Sequence, residues 1–339
     1  MKIRTYLAMV FDGMAKGLFA SLIIGTIITQ LGGLLGIPQM EQIGKVAQFM
    51  MGPCIGAGVA FARKSKQFTL VSAIVAGALG AGTISFVAGD AGAAATIGIG
   101  IGEPLSACIA AVLAMECCNF LEGKTKFDLL VVPAVAVVVA GLFGLFATPV
   151  VKEMMAAVGE MVKYLMTIQP LPMGILLGVV VGMVLTLPVS SAAMCIAIGI
   201  SGLSAGAALA GCCAQMVGFA VSSYRENKVN GLLLQGLGTS MLQVKNIIKN
   251  PWIWLPPTVA SAVCGGLSST VFGMETNSVG AGMGTSGLVG PFATYEVMGG
   301  VDSLWKMGVL FVLIPAAVSL LLSELMRKQG LIKPGDMKL

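Results

Sequence analysis

Residues 171–221 read LPMGILLGVVVGMVLTLPVSSAAMCIAIGISGLSAGAALAGCCAQMVGFAV, fifty-one positions without one charged side chain. A helix needs about 20 apolar residues to cross a bilayer, so this run alone holds at least two crossings. Residues 131–151 form a second charge-free run. The whole chain agrees: 57% of its 339 residues are hydrophobic and 10% charged, with a mean hydropathy of +0.95. A soluble domain carries about 25% charged residues, so this chain could not cover itself against water. Continuous apolar blocks, rather than alternation, exclude an outer-membrane barrel. Lys2 and Arg4 precede the first hydrophobic segment without a small-residue cleavage site, so no signal peptide is expected. The expected fold class is an all-α polytopic membrane protein.

Outward from that stretch, apolar runs predict spans over 17–36, 46–62, 68–88, 105–120 and 129–151 in a first half, residues 1–168. An amphipathic segment, 152–168, is expected to lie along the interface. The second half, 169–339, starts at 171, is broken at Pro188, and continues through 202–221, 252–271 and 307–325. The length rule gives about eight to ten crossings. Basic residues orient them. Lys2 and Arg4, 63–66, Lys124 and Lys126, 225–228, and Arg327, Lys328 and Lys333 fall on one side if 188–202 adds a hairpin. The positive-inside rule then makes both termini cytoplasmic in a multi-pass bacterial inner-membrane protein. It also accounts for the net charge of +5 without a direct nucleic-acid partner.

Much chemistry is excluded. With no histidine there is no histidine base, phosphohistidine carrier or proton relay. No Walker loop is present. The eight cysteines, including the pairs Cys117–Cys118 and Cys212–Cys213, lie in apolar stretches without metal-ligand spacing and read as packing residues. No cofactor, metal or catalytic residue is expected.

Polar groups inside apolar sequence are the candidates. Gly100-Ile101-Gly102-Glu103-Pro104 joins a glycine-rich approach, 91–102, to a proline suited to a first helical turn. A carboxylate at mid-bilayer costs about 3 kcal/mol, so Glu103 should face a cavity or a partner. The pattern describes a re-entrant segment near 91–104 that ends at a helix N-terminus, or alternatively a cap on an ordinary span. Gly236-Leu237-Gly238-Thr239-Ser240-Met241 is echoed by Gly282-Met283-Gly284-Thr285-Ser286-Gly287. Between the copies lies Gly273-Met274-Glu275-Thr276-Asn277, a second acid in a small polar nest. Such turns expose backbone and hydroxyl groups that suit a polyhydroxyl or carboxylate ligand, although ordinary extramembrane turns use the same residues. Residues 91–102 and 274–290 are expected to be non-helical hairpins lining one cavity. Glu103 and Glu275 lie 172 residues apart, a spacing that suits two halves meeting at one site. The candidate substrate contacts are Gly102, Glu103, Pro104, Thr239, Ser240, Glu275, Asn277, Thr285 and Ser286.

The stretch 100–104 resembles the Gly-Ile-Thr-Glu-Pro motif of the sugar-translocating enzyme IIC subunits of the bacterial phosphotransferase system, with Gly102 in place of the threonine. In those proteins the glutamate lies in a re-entrant hairpin and contacts sugar hydroxyls. Residues 210–220 (AGCCAQMVGFA), 235–243 (QGLGTSMLQ) and 282–290 (GMGTSGLVG) are similar to the related family named after the perfringolysin O regulator. The resemblance implies a IIC-like transporter of a small, sugar-like polar solute, without its own IIA or IIB domain. It implies Glu103 as the substrate acceptor, a homodimer, and a separate cytoplasmic phosphotransferase or regulatory partner in addition to membrane lipid. The alternative is a membrane sensor that binds such a solute and controls gene expression through a partner. Intramembrane polar groups usually mark a solute pathway, which favours transport.

Overall fold

The structure is a computed structural model that describes residues 3–87, 96–124 and 126–339. It is almost wholly helical among these residues and divides into two compact units, Met1–Glu153 and Met154–Leu339.

In the first unit, helical backbone runs from Ile3 to Leu35 through a π-turn at Phe19–Ile23. The membrane-length stretch is Thr5–Gly33, earlier than the expected 17–36. Its charges are accommodated because Lys16 pairs with Asp12 one turn back, at 2.7 Å. The expected span 46–62 is a bent pair, Pro38–Phe49 and Met51–Ala62, turning by 49°. Pro53 lies just past the bend, where its ring clashes with a continuing helix at the carbonyl of Phe49. The expected span 68–88 is shorter. Helix Gln67–Ala81 stops at Gly82, which takes a left-handed φ of +66°. An antiparallel ribbon follows, Ile84–Val87 against Thr96–Ile99, with Ile84 opposite Ile99. The first strand replaces the end of the expected span 68–88, and the second lies within the expected non-helical stretch 91–102. Residues 88–95, which include Asp90 and part of the expected hairpin, lie outside the described residues, as do residues 1–2 and 125. Helix Pro104–Leu121 follows, and then Asp128–Leu165, a single helix where a span and a separate interfacial segment were expected. Polarity changes near residue 152 without an end to the helical backbone.

The second unit is assembled around helix Gly202–Ser222, whose Ala205–Ala220 stretch is buried on every face. That explains why it carries no charge: a helix that is apolar all round has no solvent-facing side. It packs against Pro170–Thr186 and Leu255–Leu267, and those two helices also pack against each other, through glycines. A Cβ at Gly211 would come within 2.0 Å of the Gly178 carbonyl oxygen, and one at Gly265 within 2.2 Å of that of Gly174. Small residues are what let helix backbones approach this closely in a membrane protein. The segment 188–202 contains one short helix, Ser191–Ile198, capped by the Ser190 hydroxyl and ended by Gly199 in the left-handed region. Residues 274–290 are not a non-helical hairpin. They hold a short helix, Ser278–Ala281, and a 3-10 turn, Ser286–Leu288, folded onto the central helix. Helix Gly300–Lys328 closes the unit, with a π-turn at Gly308–Leu313.

Among the described residues four helices are long and apolar enough to cross a membrane, or five if the bent pair is one span. Three shorter apolar helices, Gln67–Ala81, Asp128–Gly144 and Pro170–Thr186, add to them. The run-length count of eight to ten exceeds the long-helix count because glycine and proline cut several apolar runs into short pieces.

Candidate functional site

Glu103 sits where the ribbon of the first unit meets a helix. Gly102 adopts φ +82°, and a Cβ there would lie 2.6 Å from the Ala81 carbonyl oxygen, so only glycine fits. The Glu103 N–H donates to that same carbonyl at 3.0 Å, and the Gly100 N–H to the carbonyl of Thr83 at 2.9 Å. Glu103 is therefore the N-cap of helix Pro104–Leu121, with Pro104 at the first helical position. Its half-buried carboxylate accepts a 3.4 Å hydrogen bond from the Leu105 N–H. A carboxylate here complements the positive end of the helix dipole. The nearby hydroxyls of Thr83 and Ser106 are buried without a hydrogen-bond partner among the described residues.

In the second unit the two Gly-Thr-Ser copies meet. The Thr285 hydroxyl donates to the carbonyl of Gly236, which joins the second copy to the backbone of the first. A left-handed backbone at Gly284, Gly287 and Leu288 bends the second copy inward. Leu288 is the informative one of the three, since a branched side chain at φ +60° costs on the order of 1–3 kcal/mol and is held only by its surroundings. The copies are not equivalent. Thr239 caps its own turn by accepting from the Met241 N–H at 3.2 Å. Ser240, fully buried, shares a 2.8 Å hydrogen bond with the hydroxyl of Thr186. Ser286 is buried with no partner among the described residues.

The remaining candidates do not join this cluster. Asn277 caps the short helix after it, accepting from the Gly280 N–H at 2.9 Å. Glu275 is exposed, its N–H directed to the sulfur of Met298. Its neighbour Thr276 makes a β-bridge with Gly202, which ties the loop to the start of the central helix.

Four residues outside the candidate set complete the cluster: Thr186, Gln215, Trp254 and Thr258. The fully buried Gln215 carbonyl accepts from the Thr186 hydroxyl at 3.3 Å and from the Trp254 indole N–H at 3.1 Å. Its amide donates to Thr258 at 3.3 Å. A continuous line thus runs Ser240–Thr186–Gln215–Trp254 through apolar packing, with no charged member. The signal for Gln215 was present, since it is the sole amide in the charge-free run 171–221. An amide in so apolar a stretch must be satisfied within the protein.

Fold and cluster together define an all-α multi-pass membrane protein with a neutral hydrogen-bonding centre. Residues 8–339 match the family model described as "Phosphotransferase system, EIIC". The chain belongs to that family, and it is accordingly a membrane component of a phosphotransferase-type transporter. No curated protein and no solved structure matches it.

Proposed function

We propose that the protein moves a small, uncharged, sugar-like polyhydroxyl solute across the bacterial inner membrane by alternating access. The observation that supports this reading most strongly is the line Ser240–Thr186–Gln215, three neutral polar groups at the centre of the most deeply buried helix packing. Hydroxyl and amide groups exchange hydrogen bonds with solute hydroxyls at little net cost, whereas a charged solute would lack a counter-ion there. Glu103 is the second candidate contact, a carboxylate acceptor at the end of a glycine-rich approach. Family membership extends the proposal to separate cytoplasmic phosphotransferase proteins as partners and to a homodimer.

A thermal-shift screen of the purified protein against sugars, polyols and carboxylates tests the solute class, because a ligand of the folded state raises its stability. Stabilisation by one sugar or polyol and not by carboxylates is expected; stabilisation by carboxylates alone would overturn the reading. With that ligand, Glu103→Gln should fold normally and bind about 10- to 100-fold more weakly, the worth of one charged acceptor bond. Unchanged affinity removes Glu103 from the site. The perfringolysin-regulator resemblance keeps a sensor as the second reading. A sensor would bind the solute yet show no uptake in inverted and right-side-out vesicles, where the transporter shows counterflow.

A further inference from the structure

Residues 331–339 do not trail away from the second unit. Side-chain amides hold their backbone carbonyls. The amides of Asn227 and Gln243 both donate to the carbonyl of Met337, at 2.8 and 3.0 Å. Asn246 donates to Lys338 at 3.0 Å and Asn250 to Leu331 at 2.9 Å. The Leu339 N–H returns a bond to Asn227, and Asp336 receives both Asn250 and the Lys333 N–H. Ile332 and Met337 are buried in a cluster with Phe219, Ile247, Ile253 and Met326. Four amides bond to this one segment, and two of them, Gln243 and Asn246, are fully or almost fully buried.

Two routes lead from this segment to Ser240. Gln243, three residues beyond Ser240, bonds to Met337 and also to Gln235, two fully buried amides that bracket the first Gly-Thr-Ser copy. Trp254 packs against the cluster that holds Ile332 and Met337, and its indole donates to Gln215. We infer that residues 331–339 are a strap that sets the position of residues 234–243, so that releasing the strap loosens the Ser240 turn. The backbone between the brackets is suited to this. It leaves a π-turn at Gly238 and is fully extended at Thr239, with glycines at 236 and 238. The inference does not depend on the solute, since every contact it rests on lies within the chain.

Hydrogen exchange of the 339-residue protein, read by mass spectrometry, tests it. The Asn227 side chain hydrogen-bonds to the strap, at Met337 and Leu339, so Asn227→Ala is the first variant. Losing its two bonds should speed exchange of peptide 331–339 by about 5- to 30-fold, the effect of 1–2 kcal/mol. Peptide 234–243 should speed up with it while helix Gly202–Ser222 keeps its protection. A general loss of stability would raise the central helix as well, and would overturn the proposal. A freed strap beside an unchanged 234–243 peptide would overturn it too. If Asn227→Ala leaves the strap protected, deletion of residues 331–339 supplies the release and is judged at peptide 234–243 against helix Gly202–Ser222, with the same outcomes for or against the proposal.

Discussion

Ser240 and Ser286 occupy equivalent places in the two Gly-Thr-Ser copies, yet they have different energetic histories. Ser240 is bonded to Thr186, so Ser240→Ala should lower thermal stability by about 0.5–1.5 kcal/mol before any solute is added. Ser286 has a buried hydroxyl with no partner among the described residues, a costly arrangement. Ser286→Ala should therefore leave stability unchanged or raise it, and weaken solute binding if that hydroxyl is reserved for the solute. Melting curves with and without the solute found in the screen separate the two. The pair Ser240→Ala and Ser286→Ala should be non-additive in binding by more than about 0.5 kcal/mol, since Thr285 joins the copies. Simple summation would mean two independent turns. The repeat itself was legible as sequence. Which serine is satisfied was not, because that depends on Thr186, 54 residues away.

At the scale of elements, glycine has two different duties. Gly206, in the central helix, faces the Met274 carbonyl so closely that a Cβ would lie 1.8 Å from its oxygen. Gly206→Ala must push the 273–277 loop off the helix and should cost about 1–3 kcal/mol, the usual penalty of overpacking. Gly308 begins a π-turn with helical dihedrals and nothing within 4 Å of a built Cβ. Gly308→Ala should be neutral or stabilising by up to about 1 kcal/mol, since alanine favours helix. Thermal unfolding in detergent reads both, and equal losses would contradict the packing argument. Apolar runs located the helices well, but their ends were misjudged wherever a single residue governed them. Gly82 stops a helix seven residues before the apolar run ends, and Pro53 marks a bend inside another. Hydropathy averages over a window and cannot register a single φ angle.

For the whole molecule, charge placement follows from the membrane. In the second unit Arg225 pairs with Glu324 at 2.6 Å, and Arg327 clasps Glu226 with its two terminal guanidinium nitrogens at 2.8 and 3.0 Å. These pairs bring the basic loop at 225–228 and the end of the last helix to the same end of that unit. In the first unit Arg63 pairs with Glu116, and the Lys66 ammonium reaches the Glu122 carbonyl, which likewise gathers 63–66 and 122–124 at one end. Cysteines introduced as Lys64→Cys, Lys228→Cys and Lys333→Cys should all react with an impermeant maleimide only after the cells are opened, if the positive-inside rule sets the topology. Labelling of intact cells at any one of them would refute that orientation for its unit. The Arg327–Glu226 pair is buried, so Arg327→Ala would strand a carboxylate and should destabilise by about 3–5 kcal/mol, measurable as a loss of folded protein on size exclusion.

Composition and pattern by themselves determined that this chain is a helical membrane protein, that Glu103 stands at a helix start, and that a Gly-Thr-Ser segment occurs twice. Those properties are local: each depends on a run of neighbours or on a charge that lipid will not tolerate. Only the tertiary structure decided that Asn277 is a cap, that Glu275 faces outward, and that Gln215 with Thr186 and Trp254 forms the polar centre. A buried polar group must find its partner wherever the fold supplies one, and here the partners stand 29 and 39 residues away. Spacing along the chain carries no record of that choice; helix packing makes it.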